Sequence, residues 1–184
     1  LPSLLDAVPI IPAKAGISLP KEMRIMFCGS AGEGVQVAAE LLAVAGIRAG
    51  LEATKKGSYP VTVGVGFSAA EVILSSGEIN YTGTVTPDYM IVTSQEGLDY
   101  GRKAAGRMKA GKIFLDASLE PPVTGAEIVS FPFREKVTAR NASFMGMFYF
   151  VNSSGVFPLD VMKEAFNANK IAKKVDAGQF LELL

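Results

Sequence analysis

Met23-Arg24-Ile25-Met26-Phe27-Cys28, continued by Gly29-Ser30-Ala31-Gly32-Glu33-Gly34, sets the architecture of this chain. Six residues, apolar but for Arg24, end in a glycine cluster, as a buried strand does where it turns into a helix. Val35, Ala38, Ala39, Leu42 and Ala45 then recur at the spacing of one helical face, up to about Arg48. Gly46 and Gly50 mark the end of that helix, and Leu51 to Thr54 predicts a second strand. Strand, glycine turn, helix and strand make a βαβ unit, for which a right-handed crossover and a parallel sheet are expected.

The same pattern continues downstream. Pro60 to Ser75 predicts two strands around Gly64 and Gly66, and Tyr89 to Thr93 another strand. Gln95 to Met108 predicts a helix, Lys112 to Asp116 and Glu127 to Phe131 strands, and Lys136 to Phe150 and Leu159 to Asn167 helices. Alternation of this kind predicts an α/β fold, a three-layer αβα domain with a mostly parallel sheet. Residues 1–22 carry Pro2, Pro9, Pro12 and Pro20 without periodicity, and predict an extended N-terminal arm before a domain over residues 23–184. Leu4, Leu5, Val8, Ile10 and Ile11 are too apolar for a solvated tail. The chain begins at Leu1, as a processed, trimmed or partial polypeptide would.

Composition excludes more than it affirms. Eighteen basic residues balance eighteen acidic ones, and a net charge of zero gives no electrostatic case for nucleic acid or an anionic membrane surface. Histidine is absent, which removes Ser-His and Cys-His nucleophile pairs and every His-containing zinc site. Cys28 is the only cysteine, so an intrachain disulfide and an iron–sulfur cluster held by this chain are both excluded. A lone thiol fits a cytoplasmic protein. The longest charge-free stretch, Asn141 to Leu159, is interrupted by polar residues, Gly155 and Pro158, and is no membrane span.

Gly29, Ser30, Ala31, Gly32, Glu33 and Gly34 stand where a phosphate-binding turn belongs, ahead of the positive end of a helix. Glu52 lies at a distance suited to a ribose-binding acid. Ala31 would crowd a pyrophosphate, and Glu33 sets a carboxylate beside the anion; the alternative is a tight turn with no ligand. Lys55-Lys56 could meet a phosphate or form a solvated pair, and Phe144 to Phe150 is a dense apolar patch expected in the core. Arg102, Lys103, Arg107, Lys109 and Lys112 are expected on an exposed face, and Ser30 has no base in view.

Three segments in order resemble the gamma subunits of 2-oxoacid:ferredoxin oxidoreductases, over roughly Met23 to Phe166. Gly29 to Gly34 and its Ala/Leu-rich helix are similar to their G-x-G-G-Q-G opening. Ser58-Tyr59-Pro60 through Gly64-Val65-Gly66 to Ser75 is similar to a second signature, with Tyr59, Gly66, Ala70, Glu71, Val72 and Ser75 on matching slots. Arg140-Asn141 with Met145-Gly146 is similar to their Asn-x(4)-Gly segment. Ala31-Gly32-Glu33 replaces the usual Gly-Gly-Gln, and Gly64-Val65-Gly66 replaces Arg-Gly-Gly, so no anion contact by that arginine carries over.

The resemblance implies a subunit without catalytic residues of its own, working with alpha, beta and delta-type subunits and, through them, with ferredoxin or another acceptor. Thiamine diphosphate and iron–sulfur clusters would lie in those partners, and coenzyme A would be co-substrate. The residues so implied for the coenzyme A region are Gly29 to Gly34, Tyr59, Gly64, Gly66 and Asn141. A free-standing nucleotide-binding enzyme using Gly29 to Gly34 and Glu52, and a purely structural interaction module, are the alternatives.

Overall fold

The computed structural model describes residues 16–62, 64–82, 86–169 and 174–184. Leu4, Leu5, Val8, Ile10 and Ile11, on which the expected arm rests, lie outside the described residues. What is described of it runs along the domain: the Ile17 N–H donates to the Ala49 carbonyl at 3.0 Å, and the Leu19 N–H to Ser76 Oγ.

The strands are β1 Met23–Ser30, β2 Glu52–Ser58, β3 Phe67–Ser75, β4 Tyr89–Val92, β5 Lys112–Asp116 and β6 Glu127–Phe131. The helices are α1 Val35–Arg48, α2 Gln95–Arg107, α3 Phe133–Val137, α4 Ala142–Ser154, α5 Leu159–Ala168 and α6 Gly178–Leu181, with a 3-10 turn at Ala139–Asn141. The strands form one mixed sheet in the order β2-β3-β1-β4-β5-β6. β1, β4, β5 and β6 pair in parallel, whereas β3 pairs antiparallel with both β1 and β2. Five strands therefore run one way, and β3 alone opposes them. The opening unit is a βαβ whose two strands are parallel in direction but separated by β3.

Period-two alternation sends neighbouring side chains to opposite faces. Ile25, Phe27, Val72, Leu74, Ile91 and Phe114 face the larger core with α1, α4 and α5. Met26, Cys28, Met90, Val92, Ile113 and Leu115 face a smaller core under α2. The three layers are thus unequal, with α2 the main cover of the second face. Phe144, Met145, Met147, Phe148 and Phe150 are buried, so the apolar patch is core, as expected. Phe144, Phe148, Phe166 and Phe180 interlock at centroid distances of 5.4–6.3 Å, each buried ring contributing about 1.5–3 kcal/mol.

Two expectations need correction. Pro60 to Ser75 holds one strand, not two: β2 extends to Ser58, and Gly64 and Gly66, at φ +83° and +85°, adopt left-handed conformations no strand accepts. The helix expected from Lys136 to Phe150 is broken at Thr138 (φ +71°, ψ 158°) into α3, the 3-10 turn and α4.

Candidate functional site

All parallel strands deliver their carboxyl ends to one edge of the sheet. β1 and β4 are adjacent there, with α1 leaving toward one face and α2 toward the other. Such a switch point leaves a crevice beyond the strand ends, where open α/β sheets bind ligands. Here it is an open groove of about 590 Å³ lined by Ser30, Ala31, Gly32, Glu33, Glu96, Arg134, Ala139 and Arg140.

Glu33 organises the groove. It is buried, with 4% exposure, and its Oε2 accepts from the Ser30 N–H at 2.9 Å and from Thr93 Oγ1 at 3.0 Å. The turn is therefore closed on its own carboxylate and tied to the end of β4. Glu33 Oε1 faces Arg134 Nη2 at 3.3 Å, within ion-pair range, without the alignment of a hydrogen bond. The Ala31 N–H donates to the Gly66 carbonyl at 2.8 Å, and the Glu33 N–H to the Ser30 carbonyl at 3.2 Å. Three of the turn's N–H groups thus have internal partners, so it is not an open backbone cradle for phosphate.

Ser30 does have a carboxylate neighbour that the sequence did not reveal. Its hydroxyl donates to Glu96 Oε2 at 2.8 Å. This bond, first among several causes, holds the Glu96 carboxyl below its ordinary pKa, with the backbone N–H of Glu96 and the charge of Arg134 acting the same way. Glu96 stands in the first turn of α2, whose Ser94 cap accepts from the Gly97 N–H at 3.1 Å. A carboxylate so stabilised is a poor base, so the pair positions the serine hydroxyl rather than activating it.

Arg134 reaches the groove through a second buried acid. Asp116, at the end of β5, accepts from the Arg134 N–H at 2.8 Å with Oδ2, and from Ser118 N and Oγ at 3.0 and 2.6 Å with Oδ1. That fixes the first turn of α3 above the strand ends. Arg140 follows α3 by three residues, past the strained Thr138, and its carbonyl oxygen lies 3.5 Å from where a Cβ on Gly34 would sit.

The structure thus brings together Gly29 to Gly34, Gly66 and the Arg140–Asn141 segment. Tyr59 and Gly64 belong to the loop at the same sheet end but do not line the groove; Tyr59 is 67% exposed, and Val61 and Val65 are exposed beside it. Asn141 opens α4 without a side-chain cap bond. Lys55 and Lys56 are exposed on the edge strand β2. Glu52 lies at the opposite end of the sheet: it pairs with Ser75, while Met23 at the start of β1 pairs with Leu74. A ribose acid serving the glycine turn cannot stand there. Sequence reasoning missed Glu96, Asp116 and Arg134, since sequence spacing carries no signal that three strand ends and α3 converge. Cys28 is fully buried, and burial pushes its thiol pKa far up, so it offers no nucleophile.

The family model for pyruvate ferredoxin/flavodoxin oxidoreductase (POR) matches residues 24–181, nearly the whole described domain. The chain belongs to the POR family. No curated protein matches in sequence. The POR chain shares its fold with the keto/oxoacid ferredoxin oxidoreductase gamma subunit from Geobacter sulfurreducens PCA, at 21% identity, covering 87% of this chain and 93% of that one, TM-score 0.71. Pyruvate oxidoreductase subunit PORC from Thermotoga maritima is similar at 16% identity, 88% and 90% coverage, TM-score 0.66. The 2-oxoglutarate:ferredoxin oxidoreductase from Magnetococcus marinus, a structure with 2-oxoglutarate, coenzyme A and succinyl-CoA bound, is similar at 20% identity and TM-score 0.74. The match covers 89% of the POR chain but 30% of that longer polypeptide. By fold, this POR chain is similar to that gamma subunit from Geobacter sulfurreducens. No described helix is long and apolar enough to cross a membrane.

Proposed function

We propose that this chain is the gamma-type subunit or domain of a 2-oxoacid:acceptor oxidoreductase, which converts 2-oxoacid, coenzyme A and oxidised acceptor into acyl-CoA, carbon dioxide and reduced acceptor. The observation that carries this is the POR family match over residues 24–181. The chain's role is to shape the coenzyme A region with the groove at the strand ends, formed by Gly29 to Gly34, Gly66 and the Arg140–Asn141 segment. Tyr59 and Gly64 belong to the exposed loop that meets a neighbouring subunit.

The redox and carbanion chemistry belongs to alpha, beta and delta-type partners holding thiamine diphosphate and iron–sulfur clusters, with ferredoxin or another carrier as acceptor. This division is supported by the chain's own chemistry: no histidine, and one cysteine that is buried. The complex works in the cytoplasm. Residues 1–22 form an arm outside the domain of residues 23–184.

The test is to tag the chain at its carboxyl terminus in the native host and purify what it holds. Partner chains bearing thiamine diphosphate and iron, with 2-oxoacid oxidation that requires coenzyme A, are expected. The chain alone is expected to be inactive. A chain recovered without partners, or turnover indifferent to coenzyme A, would overturn the proposal.

A further inference from the structure

A second concavity lies at the other end of the sheet from the groove, where β1, β4 and β5 begin. Its volume is about 470 Å³, and Leu19, Pro20, Met23, Pro87, Tyr89 and Ala110 give it apolar walls. We infer that this cavity is a binding site for an apolar monocarboxylic acid, whose alkyl or aryl body fills the space and whose carboxylate meets Arg107 and Lys109 at the rim. The inference goes beyond the functional reading, which concerns the carboxyl ends of the strands.

Backbone bonds hold the cavity open. The Asp88 N–H donates to the Arg24 carbonyl at 2.9 Å, and Asp88 Oδ2 accepts from the Arg24 N–H at 2.9 Å. The Asp88 carbonyl accepts from the Lys112 N–H at 3.2 Å, so one residue ties together the starts of three strands. Gly111, at φ +88°, passes so close to that carbonyl that a Cβ there would collide with it. The wall between α2 and β5 is therefore made of Ala110 and Gly111, which are too small to fill the space before them. Tyr89 is fixed by Phe150 and Phe114 at centroid distances of 5.1 and 6.2 Å, and it stays part-exposed, as do Leu19 and Met23.

Charge selects an anion. The two acids among the described lining residues are paired within the chain, Glu22 with Arg24 at 3.0 Å and Asp88 with Lys21 at 3.3 Å. Arg107 and Lys109 are exposed and make no ion pair among the described residues. They flank Met108, whose burial anchors the end of α2, so both charges stay at the cavity. An arginine fork matches the two oxygens of a carboxylate. The described chain enters this end of the sheet from the α1 side, where the Ile17 N–H donates to the Ala49 carbonyl, away from Arg107 and Lys109. The volume is that of a small-molecule site, which favours a ligand over a segment of protein.

Phenylbutyrate is the probe, with phenylbutyramide as its uncharged analogue, each titrated into the isotope-labelled full chain and followed by amide NMR. The acid should shift the amides of Lys109, Ala110 and Gly111 and leave those of Gly32 and Gly34 unmoved. Arg107→Gln/Lys109→Gln should weaken binding of the acid about tenfold and leave the amide analogue little changed. Ala110→Phe, at an exposed position, should fill the cavity and weaken both probes, with an unchanged thermal midpoint reporting an intact fold. Saturating coenzyme A should not displace the acid. The site is wrong if wild type shows no shift at these amides, if either variant binds the acid as wild type does, or if coenzyme A displaces it. Binding seen only in an Ile10→Asp/Ile11→Asp variant would assign the cavity to the chain's own amino-terminal residues. Shifts that follow protein concentration without the probe would assign it to a second copy, and either result overturns the proposal.

Discussion

Glu33 Oε2 accepts from Thr93 Oγ1 at 3.0 Å, joining the turn after β1 to the residue that follows β4 across 60 positions of sequence. The same oxygen accepts from the Ser30 N–H, so one buried atom sets both the shape of the turn and its distance from the neighbouring strand. Thr93→Val should cost about 1–2 kcal/mol by removing one donor. Glu33→Ala orphans both donors and should cost about 3 kcal/mol, whereas Glu33→Gln retains an acceptor and should cost under about 1 kcal/mol. Urea denaturation measures all three; equal losses for the alanine and glutamine variants would deny Glu33 this bridging role.

α2 lies so close to β1 that a Cβ on Gly97 would stand 2.4 Å from the Cys28 carbonyl carbon and 2.5 Å from the Gly29 nitrogen. Backbone atoms cannot retreat as a flexible side chain does. Gly97→Ala should therefore destabilise the fold by about 3 kcal/mol. A thermal unfolding midpoint equal to that of wild type would contradict this packing.

Ser30→Ala removes the main cause of the lowered Glu96 pKa, so the Glu96 midpoint should rise toward the ordinary carboxylate value in a carbon-detected NMR titration. The native pKa lies below the unfolded one, so this group's contribution to stability is present above the unfolded pKa and disappears as pH falls through the folded pKa. Wild type and variant should therefore differ most above pH 5 and converge in acid. An unmoved midpoint would break the link.

Thr138 adopts a conformation that costs about 1–3 kcal/mol for a residue with a Cβ. Thr138→Gly should raise stability by about 1 kcal/mol, after the greater backbone entropy of glycine in the unfolded chain is offset. Thr138→Ala keeps the strain and should show no such gain. Chemical denaturation of the two variants distinguishes them.

Much of this molecule is local and therefore legible. The bounds of β5 and β6 follow from short apolar runs between turn residues, and α1 and α2 from 3.6-residue periodicity, because each is governed by neighbours along the chain. The exclusion of His-containing zinc sites, of Ser-His and Cys-His pairs and of an iron–sulfur cluster held by this chain follows from the absence of histidine and the single cysteine. The family resemblance was legible for the same reason, since its signatures are contiguous segments.

What tertiary structure decided is non-local. Whether β2 lies beside β1 depends on where β3 inserts, and pairing energy between strands leaves no periodic trace in either one; Glu52 lies away from the turn because it opens β2, at the sheet end where β1 begins. Lys136 to Phe150 has the local propensity of one helix, yet Thr138 breaks it, since the contacts around α3 and α4 outweigh the strain of a single residue. Arg134 became a groove residue only because Asp116, 18 positions earlier, caps its N–H at 2.8 Å. Charge in a sequence reports what a side chain is able to bind, and only packing reports which charges face the same space.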